Sequence, residues 1–324
     1  MDRRKKLVNH SEEVTERILE SVARYYGARV FSKPRLADVV DLSSSGLTDP
    51  LFNYGLKAHL DFVVTDEEAK ALFAVEFDGP YHLSDRSARI RDRKKNSICE
   101  QLGLPLARVQ DEHVFEEIRG QRYLEWLTDI FFSAKDIREA RRDGIVPPMT
   151  VIDPMGFLTH SRLEGSRPLF LSGRDRTELI ELAKDGLISP PTPAILRGTG
   201  NDGASKCLAI TVSEDGKALI GKGSLYLRGF GISASEAAEE IALVNLAANV
   251  RDYQTDEESY ILPCELRNLL VQFIKLCEEK SLSGGITADL GFEFSHRMMN
   301  GTAIWRVGSI RGQEEFVHRE DSKW

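Results

Sequence analysis

The stretch His59-Leu-Asp-Phe-Val-Val-Thr-Asp-Glu-Glu-Ala-Lys-Ala-Leu-Phe-Ala-Val-Glu-Phe-Asp-Gly-Pro-Tyr-His82 decides how the chain is read. Two β-branched and aromatic runs flank a polar segment of turn length, which predicts an antiparallel hairpin. With Glu67 to Lys70 as the turn, Asp61 falls directly opposite Glu76. Side chains alternate with period two, so Asp78 joins that face while Phe62, Val75 and Phe77 point to the other. Like charges at cross-strand distance repel, so three converging carboxylates call for a hard cation or a raised pKa. Oxygen ligands completed by water and substrate phosphate suit Mg²⁺ or Mn²⁺. Solvated strand-edge acids are the plainer reading. Against it, Asp61 and Glu76 each sit inside an apolar run, and a Gly79-Pro80 turn follows at once.

Asp61, then Glu76-Phe-Asp78-Gly79 with His82, then Arg91-Asp92-Arg-Lys-Lys95-Asn96, then Gly103-Leu-Pro-Leu-Ala-Arg108-Val109 resemble in order and spacing the PD-(D/E)XK, restriction-endonuclease-like nuclease superfamily. Within it they are most similar to a bacterial branch, domain-of-unknown-function family 2726, itself similar to Vsr-type and RecB-type nuclease domains. The resemblance covers about residues 10–120, taking in Glu16-Arg17 and Pro34 to Val39, and leaves the second half uncovered. It implies an α/β fold, a restriction-endonuclease-like mixed sheet flanked by helices, and a Mg²⁺- or Mn²⁺-dependent deoxyribonuclease with DNA as its partner. Asp61, Glu76 and Asp78 would be the metal ligands, joined by Glu16 from the first helix, directly or through water. His82 would donate a proton to the leaving oxygen or ligate metal, unless it only caps a turn. The superfamily's Glu-x-Lys reads Glu76-Phe-Asp78 here, so the catalytic cation must come from elsewhere. Lys95 on the next helix is the candidate, with Lys94 as second choice.

That helix is predicted from Ser84, a capping residue, to the stop at Gly103. With Ile90 at zero and about 100° per residue, a stripe of Ile90, Ile98 and Leu102 centres near 70°, with Lys94 near 40° and Lys95 near 140°. Arg86, Arg89, Arg91, Arg93 and Lys94 surround the stripe and would hold the nucleic-acid backbone, the alternative being a solvated charged face. Upstream, Ser11 to Gly27 reads as a capped helix in which Glu16 is either a site residue or a solvent-facing charge. Leu104 to Val109 is a further core strand. Val114 to Phe132 reads as one or two helices whose aromatics serve packing.

The chain has 324 residues, 41% of them hydrophobic, enough for two cores, and no apolar run of membrane-spanning length. Met1-Asp-Arg-Arg-Lys-Lys is not followed by a signal-peptide core, so a cytoplasmic protein without a membrane partner is expected. Cys99, Cys207, Cys264 and Cys277 have no CxxC spacing and read as small buried hydrophobes. Net charge is −8, of which residues 201–324 carry −6, so a phosphate-binding surface belongs before residue 200. The expected domains are a nuclease domain over 1–135, a Pro-rich, partly helical connector over 136–200, and a smaller, acidic α+β domain over 201–324. The last resembles faintly a double-stranded-RNA-binding domain. Glu236, Glu239 and Glu240 stand where such a domain sets lysines, so a protein partner or homo-oligomer contact fits it better. A rival reading keeps the nuclease fold and drops the chemistry, leaving a DNA-binding or protein-assembly module with a degenerate site.

Overall fold

The computed structural model describes residues 9–43, 45–79, 86–118, 120–156, 158–159, 167–168, 170–255, 260–278, 281–284, 292–299, 302–309 and 315–320. They form two compact units, Met1–Phe170 with Tyr226–Ser233, and Leu171–Leu225 with Ala234–Trp324. These limits differ from the expected boundaries at 135 and 200.

In the first unit, α1 (His10–Tyr25) starts at a capping box in which Asn9 takes the Glu12 N–H and Glu12 takes the Asn9 N–H. The true cap is therefore Asn9, two residues before the expected Ser11. There follow β1 (Arg29–Ser32), α2 (Leu36–Val39), α3 (Asp49–Gly55), β2 (Phe62–Thr65), β3 (Ala71–Phe77), α4 (Arg86–Gln101), β4 (Leu106–Val109) and α5 (Asp111–Phe115). Two-residue strands β5 (Glu117–Ile118) and β6 (Gln121–Arg122) lead into α6 (Tyr123–Arg142), and β7 (Leu158–Thr159) pairs with β8 (Arg167–Pro168).

The sheet runs β1-β2-β3-β4, antiparallel except for the parallel pair β3–β4. A parallel neighbour needs a crossover connection, and α4 is that connection. Tyr226, Leu227 and Arg228 pair antiparallel with Arg108, Ala107 and Leu106 on the far side of β4. This is the mixed α/β sheet flanked by helices that the sequence predicts. Phe62, Phe73, Leu106 and Ile98 are fully buried, and Phe73 packs on Phe131 of α6 with ring centroids 4.5 Å apart.

The hairpin register pairs Phe62 with Val75 and Val64 with Phe73, so one step further Asp61 faces Glu76. A bulge at Leu72 shifts the next pair to Thr65 and Ala71. The turn is closed by the Asp66 N–H on Lys70 O, with Ala69 at positive φ.

The second unit holds α7 (Gly173–Lys184), β9 (Ile188–Thr199), β10 (Ser205–Ser213), β11 (Ala218–Arg228), α8 (Ala234–Thr255), α9 (Pro263–Leu276), β12 (Ser283–Gly284), and the separate meander β13 (Phe292–Met299), β14 (Thr302–Ser309), β15 (Glu315–Glu320). Residues 188–199, expected within a connector, form a strand of its sheet. Ile210 pairs with Ala194 and Val212 with Ser189, so residues 190–193, including Pro190, Pro191 and Pro193, stand out of the ladder as a bulge. Prolines lack the ladder N–H, and this is where a strand can hold them. Leu179, Cys207, Ala209, Leu219 and α8 residues such as Ala242 and Leu246 make one core. Leu196, Leu208, Ile210 and Ile220 make a second with Leu266, Leu270 and Phe273 of α9.

Glu239 and Glu240, two of the three acids at the start of α8, are engaged by arginines of the same unit. Arg176 binds Glu240 at 2.9 Å and Glu239 at 3.2 Å, and Arg197 pairs with Glu239. The thiols of Cys99 and Cys207 are pushed up to about 12, and that of Cys277 to about 11, by burial. They are small hydrophobes, as expected, while Cys264's side chain lies outside the described residues. Among the described residues no helix is long and apolar enough to cross a membrane.

Helix α8 lies hard against β11. A Cβ at Gly223 would stand 1.9 Å from Ala238 O, and one at Gly221 would stand 1.9 Å from Ala242 O. Asn245 donates to Lys222 O at 2.9 Å, satisfying a strand carbonyl from the helix side. An alanine in a strand ordinarily gains roughly 0.5–1 kcal/mol over glycine. Here Gly223→Ala should instead destabilise by about 1–3 kcal/mol or more, because both obstacles are backbone. Urea unfolding of wild type and variant measures this, and an unchanged or raised midpoint would contradict the packing.

Candidate active site

Asp61 precedes β2 and Glu76 lies on β3, and the hairpin register sets them side by side. The Asp61 N–H donates to Glu76 Oε1 at 3.2 Å, and the Phe77 N–H donates to Asp61 Oδ2 at 3.0 Å. Glu76 is thus held by the backbone of Asp61, and Asp61 by the backbone of the residue after Glu76. Glu76 is 3% exposed. Lys95 reaches in from α4 and its Nζ stands 2.5 Å from Glu76 Oε2. Lys94 leaves this cluster and lies over the Tyr54 ring, 5.4 Å from its centroid.

The helical phase explains which lysine enters. Ile90, the zero of the expected stripe, is 47% exposed, whereas Ala88, Ile98 and Cys99 are buried. The buried face of α4 is therefore rotated past Ile98 and onto Lys95, away from Lys94.

Asp78 is placed on the predicted face but not in the same cluster. Arg108 of β4, 6% exposed, binds Asp78 at 2.6 Å and Asp92 at 3.1 Å, stands 4.0 Å from Glu76, and donates to Asn96 Oδ1 at 2.9 Å. The expected convergence of three carboxylates is corrected to a pair, Asp61 and Glu76, with Asp78 drawn off by a buried guanidinium. Burial alone would lower the Arg108 pKa, but Asp78, Glu76 and Asp92 outweigh it and hold the group above its ordinary value. Among the described residues no three His, Cys, Asp or Glu side chains stand together as a metal cluster would.

Glu16 accepts from the hydroxyl of Ser32, the residue before Lys33. The acid of α1 that reaches the pair is Glu12, one turn earlier, through Lys33. Lys33 Nζ stands 2.7 Å from Glu12 Oε1 and 2.7 Å from Asp61 Oδ1. Neither Glu12 nor Lys33 was among the candidates. Glu12 carried a signal as the third residue after a possible Asn9 cap, and Lys33 carried none. Burial would lower the Lys33 pKa, but the hydrogen bonds to Asp61 and Glu12 more than reverse this and raise it.

His82 lies outside the described residues, as does the side chain of Arg86. Arg89, Arg91 and Arg93 are exposed on α4, and Arg91 donates to Ser87 Oγ at 3.1 Å. Beside Lys95 opens a recess of about 280 Å³ lined by Tyr54, Lys57, His59, Arg91 and Asp92. The Tyr54 hydroxyl is pushed up to about 12 by burial, then by the charges of Glu76 and Asp92, so it remains a donor.

This donor set fits a hard divalent cation. The two acids offer oxygen only, and Mg²⁺ is commonly held by one or two carboxylates with water and substrate phosphate completing the shell. A chain cation, the Lys33 ammonium, already stands against Asp61.

Residues 4–125 match the family described as protein of unknown function (DUF2726). The DUF2726 segment contains Glu12, Lys33, Asp61, Glu76, Asp78, Lys95 and Arg108, hence the whole cluster. No curated protein matches the chain, and no solved structure does.

Burial raises the Glu76 pKa first of all, Lys95 opposes it, Asp61 adds to it and Arg108 again opposes. The folded chain therefore binds this proton more tightly than the unfolded chain. The corresponding stability is full below Glu76's ordinary value near 4.5 and is lost as pH rises through the raised one. Glu76→Gln cannot lose it. The stability of the variant minus that of wild type should rise with pH across that window in urea unfolding at a series of pH values, and a flat difference would contradict the burial.

Proposed function

We propose that the chain is a metal-dependent nuclease of the restriction-endonuclease-like, PD-(D/E)XK kind that hydrolyses phosphodiester bonds in DNA. The observation that carries the reading is the trio of Asp61, Glu76 and Lys95: two adjacent carboxylates on a hairpin, with an ammonium from the next helix 2.5 Å from one of them. Such a set can hold a cation and a phosphate at the same point.

Asp61 and Glu76 would hold Mg²⁺ or Mn²⁺, which offsets charge at the scissile phosphate and acidifies water when bound. Lys95 would turn from Glu76 to a phosphoryl oxygen as negative charge builds there, stabilising the transition state more than the ground state. Water would be the nucleophile: its oxygen bonds to phosphorus as the bond to the leaving sugar oxygen breaks, the attacking water giving up a proton to solvent and the leaving oxygen taking one from solvent. The one cysteine beside the cluster, Cys99, has a thiol too basic to attack. Arg108 holds Asp78 and Asp92 in place and acts on the site through them. Arg89, Arg91 and Arg93, exposed on the same helix, would bind flanking phosphates.

The Asp78–Arg108 pairing favours a second reading, in which the domain binds DNA without cutting it. Mn²⁺ titration separates the two, since a catalytic site should bind the ion and lose it in Asp61→Asn.

Plasmid nicking with Mg²⁺ should be abolished by EDTA and by Glu76→Ala. Lys95→Ala should lose at least about a hundredfold in turnover while retaining DNA affinity, the pattern of a group that acts on the transition state. Nicking that persists in EDTA or in Glu76→Ala would overturn the assignment.

A further inference from the structure

The four carboxylate oxygens of Asp61 and Glu76 have distinct partners among the described residues. Asp61 Oδ2 accepts from the Phe77 N–H and Glu76 Oε1 from the Asp61 N–H. The two remaining oxygens each hold a lysine, Asp61 Oδ1 on Lys33 and Glu76 Oε2 on Lys95. Both outward-facing oxygens are therefore taken by ammonium groups, and a divalent cation entering the cluster would have to displace one of them. We infer that Lys33 is an internal cation occupying the place of the divalent ion on Asp61, and that metal binding requires Lys33 to release that oxygen. The inference rests on the metal-dependent reading above.

The two lysines are not equivalent. The Lys33 side chain is 37% exposed and that of Lys95 is 15% exposed. Lys33 also has somewhere to go, because Glu12 Oε1 stays 2.7 Å from its Nζ as an alternative partner. Lys95 is packed between α4 and the sheet on a buried acid. Release of Lys33 is the less costly exchange, and it leaves Lys95 free for the phosphate.

The backbone places Lys33 with some strain. Its φ is +56°, in the left-handed region that non-glycine residues other than Asn and Asp avoid, and its N–H donates to Asp61 O at 2.8 Å. Strain of this kind persists only where the surroundings impose it. Continuing the β1–β2 register past Ser32 and Phe62 sets Lys33 opposite Asp61, backbone to backbone as well as ammonium to carboxylate.

The test is isothermal titration of the full chain with MnCl₂, comparing wild type with Lys33→Asn, Lys33→Gln and Lys33→Arg, and using Asp61→Asn as the control. Asn tolerates positive φ, so Lys33→Asn removes the charge without adding backbone strain. Gln is a second neutral variant should the first fold poorly, and thermal unfolding reports on both. Neutral variants should bind Mn²⁺ about two- to fivefold more tightly, the scale of a partly exposed ion pair. Lys33→Arg should show no gain.

Mn²⁺ binding that depends on Asp61 but is equal or weaker in the neutral variants overturns the inference and leaves the metal reading standing. Binding by the neutral variants when wild type binds none supports it in its strongest form. Absence of Mn²⁺ binding in wild type and both neutral variants removes the inference together with the metal reading.

Discussion

Glu76 is a carboxylate in the middle of a sheet, and much of the first unit can be understood from what its burial demands. An isolated charge there would cost several kcal/mol, and a group so placed either takes up a proton or acquires cations. Lys95 approaches it from the crossover helix α4, and Arg108 from β4, the parallel strand to which that helix leads. The parallel pairing of Glu76 with Arg108 is therefore both a backbone register and an electrostatic arrangement. A slip of one residue on either strand would turn one of the charges to the opposite face.

Arg108 in turn determines the fate of Asp78. A guanidinium with five donors, buried between strands, needs several acceptors, and Asp78, Asp92 and Asn96 supply them. Asp78, two residues after Glu76, is thereby tied to the adjoining strand. Asp78 is thus drawn out of the expected carboxylate cluster for a definable reason. Its face was correct, but a stronger, closer partner lay on a strand whose pairing the local pattern does not reveal.

What was legible followed from periodicity. Period-two alternation placed Asp61 opposite Glu76, and the bulge at Leu72 left that pairing intact because it lies near the turn. The preference for Lys95 over Lys94 came out with the geometry, although the stripe behind it was centred on Ile90, which is largely exposed. Arg108 could have been singled out: an arginine inside a four-residue strand between Ala107 and Val109 must be paired if the strand is buried. Lys33 could not, because its position depends on a positive φ and on Glu12, 21 residues away. In the second unit the prolines of residues 190–193 concealed a strand, because a bulge removes them from the ladder and no local rule announces a bulge.

Charge also bears on the order in which ligands would arrive. With both lysines seated, Glu12, Asp61, Glu76, Lys33 and Lys95 together carry one negative charge, and a divalent ion on Asp61 with Lys33 kept on Glu12 would leave these groups one positive charge in excess. A phosphodiester carries one negative charge and offers oxygens to both the ion and Lys95, so it cancels that excess. Each ligand therefore lowers the cost of the other, and by linkage the coupling is reciprocal. On the metal-dependent reading, cation and phosphate would therefore assemble together on Asp61 and Glu76 more favourably than either does alone.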